Sequence, residues 1–289
     1  MKSTQAVSRT EIRRVVAGAV TEDSPDILAV EEPLEIRLGF PDSTHRAISI
    51  TMRTPGDDGE LAAGFLFTEG ILQRPEQIKQ IRHCGLKIGT RTGAIERAAA
   101  LNSNTIRVDL NEGVDVDFKR LERHFYTTSS CGVCGKSSID ALHSTAQKLT
   151  DQEHPKLDSD LIRSLPEKLL LSQDVFAQTG GLHASALFST DGRLEILRED
   201  VGRHNALDKV IGAKFLAGEL PLADSILLVS GRASFELVQK ALMAGIPILI
   251  AVGAPSSLAV ELAEEFGMTV VGFVRGETYN VYAGKARIV

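Results

Sequence analysis

The stretch from Ser225 to Val274 limits most tightly what this chain can fold into. Three apolar runs, Ser225–Val229, Ile246–Val252 and Thr269–Val274, alternate with two segments of helical character, Arg232–Ala244 and Ser257–Phe266. A strand–helix–strand–helix–strand order argues for parallel strands linked by crossover helices. Upstream, Leu182–Ser189 and Leu194–Glu199 read as strands joined by a turn at Asp191-Gly192, and Arg203–Leu216 reads as a helix. Leu169, Leu170 and Phe176 mark one more helix, closed by Gly180-Gly181. Ligands gather at the C-terminal ends of strands in such sheets, which is where the loops Ser230-Gly231-Arg232 and Gly253-Ala254-Pro255 lie.

The first half has a different texture. Ile27–Val30, Leu34–Leu38, Ala47–Met52 and Thr105–Leu110 read as strands, with Val114–Phe118 as a further candidate. Thr54-Pro55-Gly56-Asp57-Asp58-Gly59-Glu60 supplies a turn and a helix start, Asp57 and Glu60 standing at capping-box spacing. The expected organisation is a flexible tail over 1–22, a smaller β-rich α+β unit over 23–156 and an α/β unit over 157–289. Asp151–Pro155 is the expected linker, and the last strand, Tyr279–Tyr282, has the option of packing back on the first unit.

At 289 residues, with 43% hydrophobic and 24% charged, the chain can bury a core without disulfide or metal staples. A net charge of −6 argues against nucleic acid as the main partner. Val15–Val20 is too short for the ~7–15-residue core of a signal peptide, and Ile246–Pro255 falls short of the ~20 residues that span a bilayer. With only three cysteines, no disulfide framework is available, so a reducing, cytoplasmic setting and no membrane association are expected.

Chemistry concentrates in two places. Ser129-Ser130-Cys131-Gly132-Val133-Cys134-Gly135 suits an exposed, mobile loop (126–137), and Lys119, Arg120, Arg123 and Lys136 nearby favour thiolate over thiol. Half of a zinc site completed by His124 or His143, a redox pair, and a loop without chemistry all compete with nucleophilic thiol chemistry here. Cys84 stands apart and reads as a structural thiol. The second place is Glu199-Asp200-Val201-Gly202-Arg203-His204-Asn205-Ala206-Leu207-Asp208-Lys209, where a strand yields to a helix start whose free N–H groups suit phosphate or carboxylate, although Asp200 and Asn205 also make ordinary caps. Thr179-Gly180-Gly181-Leu182-His183 reads as a helix C-cap followed by a core histidine, with a backbone nest as the rival. Phe273-Val274-Arg275-Gly276-Glu277-Thr278 ends the last core strand, and its arginine and glycine suit either a nucleotide clamp or a plain surface turn.

The strand and helix order looks similar to the cytidine deaminase-like, three-layer α/β fold. Deaminase chemistry itself is ruled out, because the helix starts read Arg203-His204-Asn205 and Ser230-Gly231-Arg232 where His-x-Glu and Cys-x-x-Cys are required. Taken together, Thr54-Pro-Gly-Asp-Asp-Gly-Glu-Leu, Ser130-Cys-Gly-Val-Cys-Gly, Thr179-Gly-Gly-Leu-His-Ala, Glu199–Lys209, Ser230-Gly-Arg and Val271-Gly-Phe-Val-Arg-Gly resemble the FdhD family of formate dehydrogenase accessory sulfurtransferases. The resemblance implies a cytoplasmic, homodimeric sulfur carrier with a deaminase-like second domain. It implies that Cys131 accepts sulfane sulfur from a cysteine desulfurase as a persulfide, with Cys134 as partner thiol. The sulfur then passes to the bis-guanine-dinucleotide molybdenum (or tungsten) cofactor, which activates formate dehydrogenase. A chaperone that holds the cofactor without covalent transfer is the alternative. Phe273, Val274, Arg275, Gly276, Glu277 and Thr278 match the family's cofactor-binding stretch, and His183, Arg203, His204 and Arg232 are further candidate contacts.

Overall fold

The structure, a computed structural model, describes residues 6–84, 87–88, 95–96, 104–116, 148–149 and 155–289. It opens with an antiparallel ribbon of β1 (Val7–Val16) and β2 (Ala19–Ala29), paired from Val7↔Ala29 to Val16↔Ala19. Most of the stretch expected as a flexible tail is therefore strand. Ala17 (φ 50°) and Gly18 (φ 84°) form the two-residue loop, and positive φ at both positions matches the right-handed twist of the flanking strands. An alanine in the left-handed region carries no turn signal in sequence, so nothing local marks this hairpin.

A four-stranded sheet follows, built from β3 (Glu32–Gly39), β4 (His45–Arg53), β5 (Ile78–His83) and, after the short pair β6 (Lys87–Ile88) and β7 (Ile95–Glu96), β8 (Thr105–Leu110). Its order is β4-β3-β8-β5, with β3 and β8 parallel and the other neighbours antiparallel. Val114–Val116, the described part of the further candidate strand, is irregular. Helix α1 (Asp58–Thr68) lies on this sheet, where Leu61, Ala62, Ala63 and Leu66 pack against Leu34, Ile36, Leu38, Ile106 and Val108.

The C-terminal half begins with α2 (Ser159–Leu171) and α3 (Asp174–Thr179), two helices where the sequence suggested one. The break is fixed from outside, because the Glu199 carboxylate accepts the N–H groups of Val175 (3.0 Å) and Phe176 (2.8 Å) at the start of α3. Then come β9 (His183–Ser189), β10 (Leu194–Asp200), α4 (Arg203–Leu216), β11 (Ser225–Val229), α5 (Phe235–Met243), β12 (Ile248–Ala251), α6 (Ser257–Phe266), β13 (Thr269–Arg275) and β14 (Thr278–Ala283). The sheet order is β10-β9-β11-β12-β13-β14, with β11, β12 and β13 mutually parallel as the alternation required. β14 pairs with β13, so the last strand completes this sheet and does not return to the first.

Successive strand residues point to opposite faces. Leu227, Val229, Leu249 and Val270 meet the apolar sides of α4, α5 and α6, while Ile226, Leu228, Ile250 and Val271 meet Ile162, Leu165 and Leu169 of α2. Both faces are dry, which is why the core strands read as unbroken apolar runs.

Helices α1 and α4 join the two halves. A Cβ on Gly64 would stand 1.9 Å from the Asp208 carbonyl oxygen, and one on Gly212 would stand 1.9 Å from that of Glu60. The helix backbones touch at this crossing, and only glycine fits on either side. The expected capping box is replaced by another arrangement. Asp57 sits in the left-handed region (φ 56°) with no side-chain cap, and Glu60 forms a two-pronged ion pair with Arg198 at 2.6 and 2.8 Å. Among the described residues no helix is long and apolar enough to cross a membrane.

Candidate functional site

The segment Glu199–Lys209 divides into two sets of side chains. One set is buried at the junction of the two halves. Asp200, wholly buried, lies 2.7 Å from Lys209 Nζ and accepts N–H groups from Thr54, Gly202 and the Asn205 amide. Asn205 donates to Met52 O at 2.7 Å and accepts from Thr51 Oγ, while Lys209 donates to Thr54 O at 3.0 Å. One turn on, Asp208 accepts from Lys240 Nζ (3.0 Å) and from Thr68 Oγ (2.9 Å). Burial pushes the Asp208 carboxyl up against the pull of Lys240. Burial would favour a neutral Lys240 amine, yet Asp208 and Glu69 hold it above the ordinary lysine range. Every charge in this set has its partner, so these residues act as mortar between the halves.

The other set faces outward at the ends of the parallel strands. His183 opens β9 opposite Asp200, and Val229 at the end of β11 pairs with Ser185, which brings Ser230-Gly231 beside the His183 ring. A Cβ on Gly231 would meet His183 Nδ1 at 3.4 Å. Beyond the strand ends the loops continue the ladder, Gly253 N–H donating to Gly231 O (2.9 Å) and Phe273 N–H to Gly253 O (3.1 Å). The ends of β11, β12 and β13 are thereby zipped into one rim. A Cβ on Gly253 would press within 2.9 Å of the Gly231 oxygen, so this packing needs a glycine.

Arg203 and His204, in the first turn of α4, lie at the same rim. Arg203 Nε is buried without a hydrogen-bond partner. His204 Nε2 lies 3.5 Å from Ser234 Oγ and 3.8 Å from Glu236 Oε2, both at the start of α5. His204 is the main reason the Glu236 carboxyl is held down to about 2, with its own backbone amide and Ser234 adding to the effect. The His183 pKa is pushed down, first by burial and then by the positive charges of Arg203 and His204. Gly180 closes α3 in the left-handed conformation, as a C-cap should, but His183 is half-buried at the rim and not a core histidine.

The 273–278 segment contributes unequally. Phe273 is 40% exposed with φ 55°, a left-handed aromatic held in place by its bond to Gly253. The Val274 side chain is buried in the core on the α2 side of the sheet, and Arg275, Gly276, Glu277 and Thr278 form an exposed turn. Glu277 is tied down by an ion pair with Arg163 of α2. Arg232 is exposed on the loop before α5. Cys131, Cys134 and the 126–137 loop lie outside the described residues. Cys84 is half-buried at the end of β5, its N–H donating to Thr105 O. Among the described residues no group of three or more His, Cys, Asp or Glu side chains is placed to hold a metal ion.

The rim therefore gathers Arg203, His204 and His183 around strand-end backbone, a setting suited to phosphate groups. Reading the sequence missed Glu236. An acidic residue in the first turn of a helix looks like ordinary compensation of the helix dipole, and only the fold shows that its carboxylate faces a histidine of another helix.

Comparison with known proteins bears on this arrangement. The FdhD/NarQ family model matches residues 29–289. The sulfur carrier protein FdhD of Streptomyces avermitilis is 50% identical over 287 residues, covering 98% of this chain and 96% of that protein. That of Mycobacterium tuberculosis is 48% identical over 285 residues, covering 98% and 99%. A crystal structure of a Desulfotalea psychrophila protein, assigned as a formate dehydrogenase accessory protein, superposes with a TM-score of 0.70 at 27% identity, covering 98% of this chain and 100% of that one.

Proposed function

The chain belongs to the FdhD/NarQ family, and from that premise we propose that it is a sulfur carrier serving formate dehydrogenase. In this reading Cys131 is the carrier thiol. Its thiolate attacks the sulfane sulfur held by a cysteine desulfurase, forming one S–S bond as the donor's breaks and leaving the donor thiolate behind. Cys134 completes delivery by attacking Cys131 Sγ. The two thiols close to a disulfide, and the carried atom takes up the electron pair and leaves as sulfide. The recipient, and the substrate of the transfer, is the bis-molybdopterin guanine dinucleotide cofactor before its insertion into formate dehydrogenase. The reading includes a deaminase-like scaffold for the C-terminal half, a homodimer and a cytoplasmic setting.

The observation that supports the cofactor half of this reading is the rim at the ends of β11–β13. Arg203 and His204 stand at one part of this rim and an exposed Phe273, leading into the 275–278 turn, at another, polar groups for phosphates and an apolar face for a ring system. Mass spectrometry after incubation with a cysteine desulfurase and cysteine tests the carrier half. One reductant-removable sulfur atom is expected on the peptide containing Cys131, and its absence while the desulfurase turns over refutes the relay.

A holding role without covalent transfer is the second reading, favoured by the polar groups that Arg203, His204 and the strand-end backbone place at the rim. A Cys131→Ala, Cys134→Ala double variant that still matures active formate dehydrogenase would select it.

A further inference from the structure

We propose that Glu236 is a positioning residue that holds the His204 ring through Nε2, so that a charged imidazolium offers its Nδ1–H to a diphosphate-bearing ligand at the rim. This rests on the cofactor-binding half of the reading above, and adds a residue to which neither the sequence motifs nor that reading gives a role. Three placements carry it. His204 starts α4 and Glu236 starts α5, so the contact ties together two helix starts that border the same strand ends. Ser234 Oγ makes no cap bond within its own helix and lies instead 3.5 Å from the same His204 Nε2. Only one ring nitrogen is engaged by this pair, which leaves Nδ1 as the donor for a ligand.

The chemistry of imidazole then sets the condition. A neutral ring that gives its Nε2 proton to Glu236 has a lone pair at Nδ1, which repels a phosphate oxygen. The imidazolium donates from both nitrogens. Glu236, held well below the usual carboxylate range, is the anion that faces Nε2 in that two-donor form. Of the other charged or titratable groups at this corner, Arg203 of α4 and Asp200 of β10, with His204 itself, act on the His183 ring of β9. Asp200 is already neutralised by Lys209.

Calorimetric titration of the full chain with inorganic pyrophosphate, from about pH 5.5 to about pH 8.5, tests this. For the unchanged chain, affinity should fall as the pH rises. For Glu236→Gln the same fall should come at lower pH, with affinities equal at the acid end and about tenfold weaker near neutrality, as expected when an opposite charge at ion-pair distance is removed. Glu236→Asp should restore most of the loss. A constant loss at every pH means a structural role and overturns the proposal, as does an unchanged profile or an absence of pyrophosphate binding by the unchanged chain. If Glu236→Gln does not fold, NMR of the unchanged chain decides. His204 ring signals that titrate in step with affinity and shift with pyrophosphate support the proposal, and signals indifferent to pyrophosphate overturn it. Absence of pyrophosphate binding by the unchanged chain refutes the cofactor-binding reading along with this role, whereas binding with a profile unmoved by Glu236→Gln refutes this role alone.

Discussion

Helix α4 asks opposite things of its first turn and of the turns that follow. From Asn205 to Gly212 its side chains are sealed into the junction with α1, β4 and α5. Two buried ion pairs, an amide bridge and a glycine–glycine contact leave no polar group there to spare. One turn earlier, Arg203 keeps a buried Nε without a partner, and His204 is half-exposed and balanced by a carboxylate from another helix. Saturation makes the first region rigid and chemically inert. Incomplete pairing makes the second available to a ligand. The inert region is also what fixes the other in space, since a helix whose next two turns are locked cannot swing its first.

The largest effect that would break this contrast is expected on the saturated side. Lys240→Met leaves the buried Asp208 carboxylate without its cation and should cost about 3–5 kcal/mol of stability by urea unfolding. A cost below about 1 kcal/mol would show the junction to be less closed than its geometry implies. Gly212→Ala drives a methyl group onto the Glu60 carbonyl and should cost about 2–3 kcal/mol, with loosened packing of α1 on α4 visible as faster amide exchange in both helices. On the open side the balance reverses. Arg203→Ala should leave unfolding within about 0.5 kcal/mol while weakening pyrophosphate binding about tenfold. If it instead destabilises the fold as the junction variants do, the division of α4 fails.

The smallest effect concerns acid stability. The Glu236 carboxyl is depressed from 4.5 to about 2 in the folded chain, so its contribution is fully present above pH 4.5 and is lost as pH falls toward 2. Because the group is partly solvated, the contribution is below about 1 kcal/mol. Glu236→Gln should flatten the slope of stability with pH inside that window.

Much of the backbone was legible from the chain. Arg203–Leu216 and Ser225–Val229 emerge with the boundaries their apolar spacing suggested, because period and capping are local signals. The rim was legible as a place, since the ends of parallel strands follow from the alternation itself. Its internal division was not. Asp200, Asn205, Asp208 and Lys209 share a motif with Arg203 and His204, and the sequence alone does not say which of the six cap or pair inside the fold and which face a ligand. What assigns the first four to the junction is the set of partners they meet, Thr51, Met52, Thr54 and Thr68, about 150 positions away in sequence. The cap expected of Asp57 failed for a related reason. Glu60, its supposed box partner, gains more from a two-pronged pair with Arg198, 138 positions on, than from its own helix start.

The sequence by itself determined the α/β alternation, the parallel core strands and the end of the sheet where ligands collect, because these depend on residues close together along the chain. The family, too, could be read from its spaced motifs. Only the tertiary structure decided that the N-terminal residues form a ribbon, that the last strand stays with its own sheet, and that Glu236 faces His204. Each of these turns on a partner supplied by another element, and the free energy of pairing a charge or closing a ladder is not encoded at either partner alone.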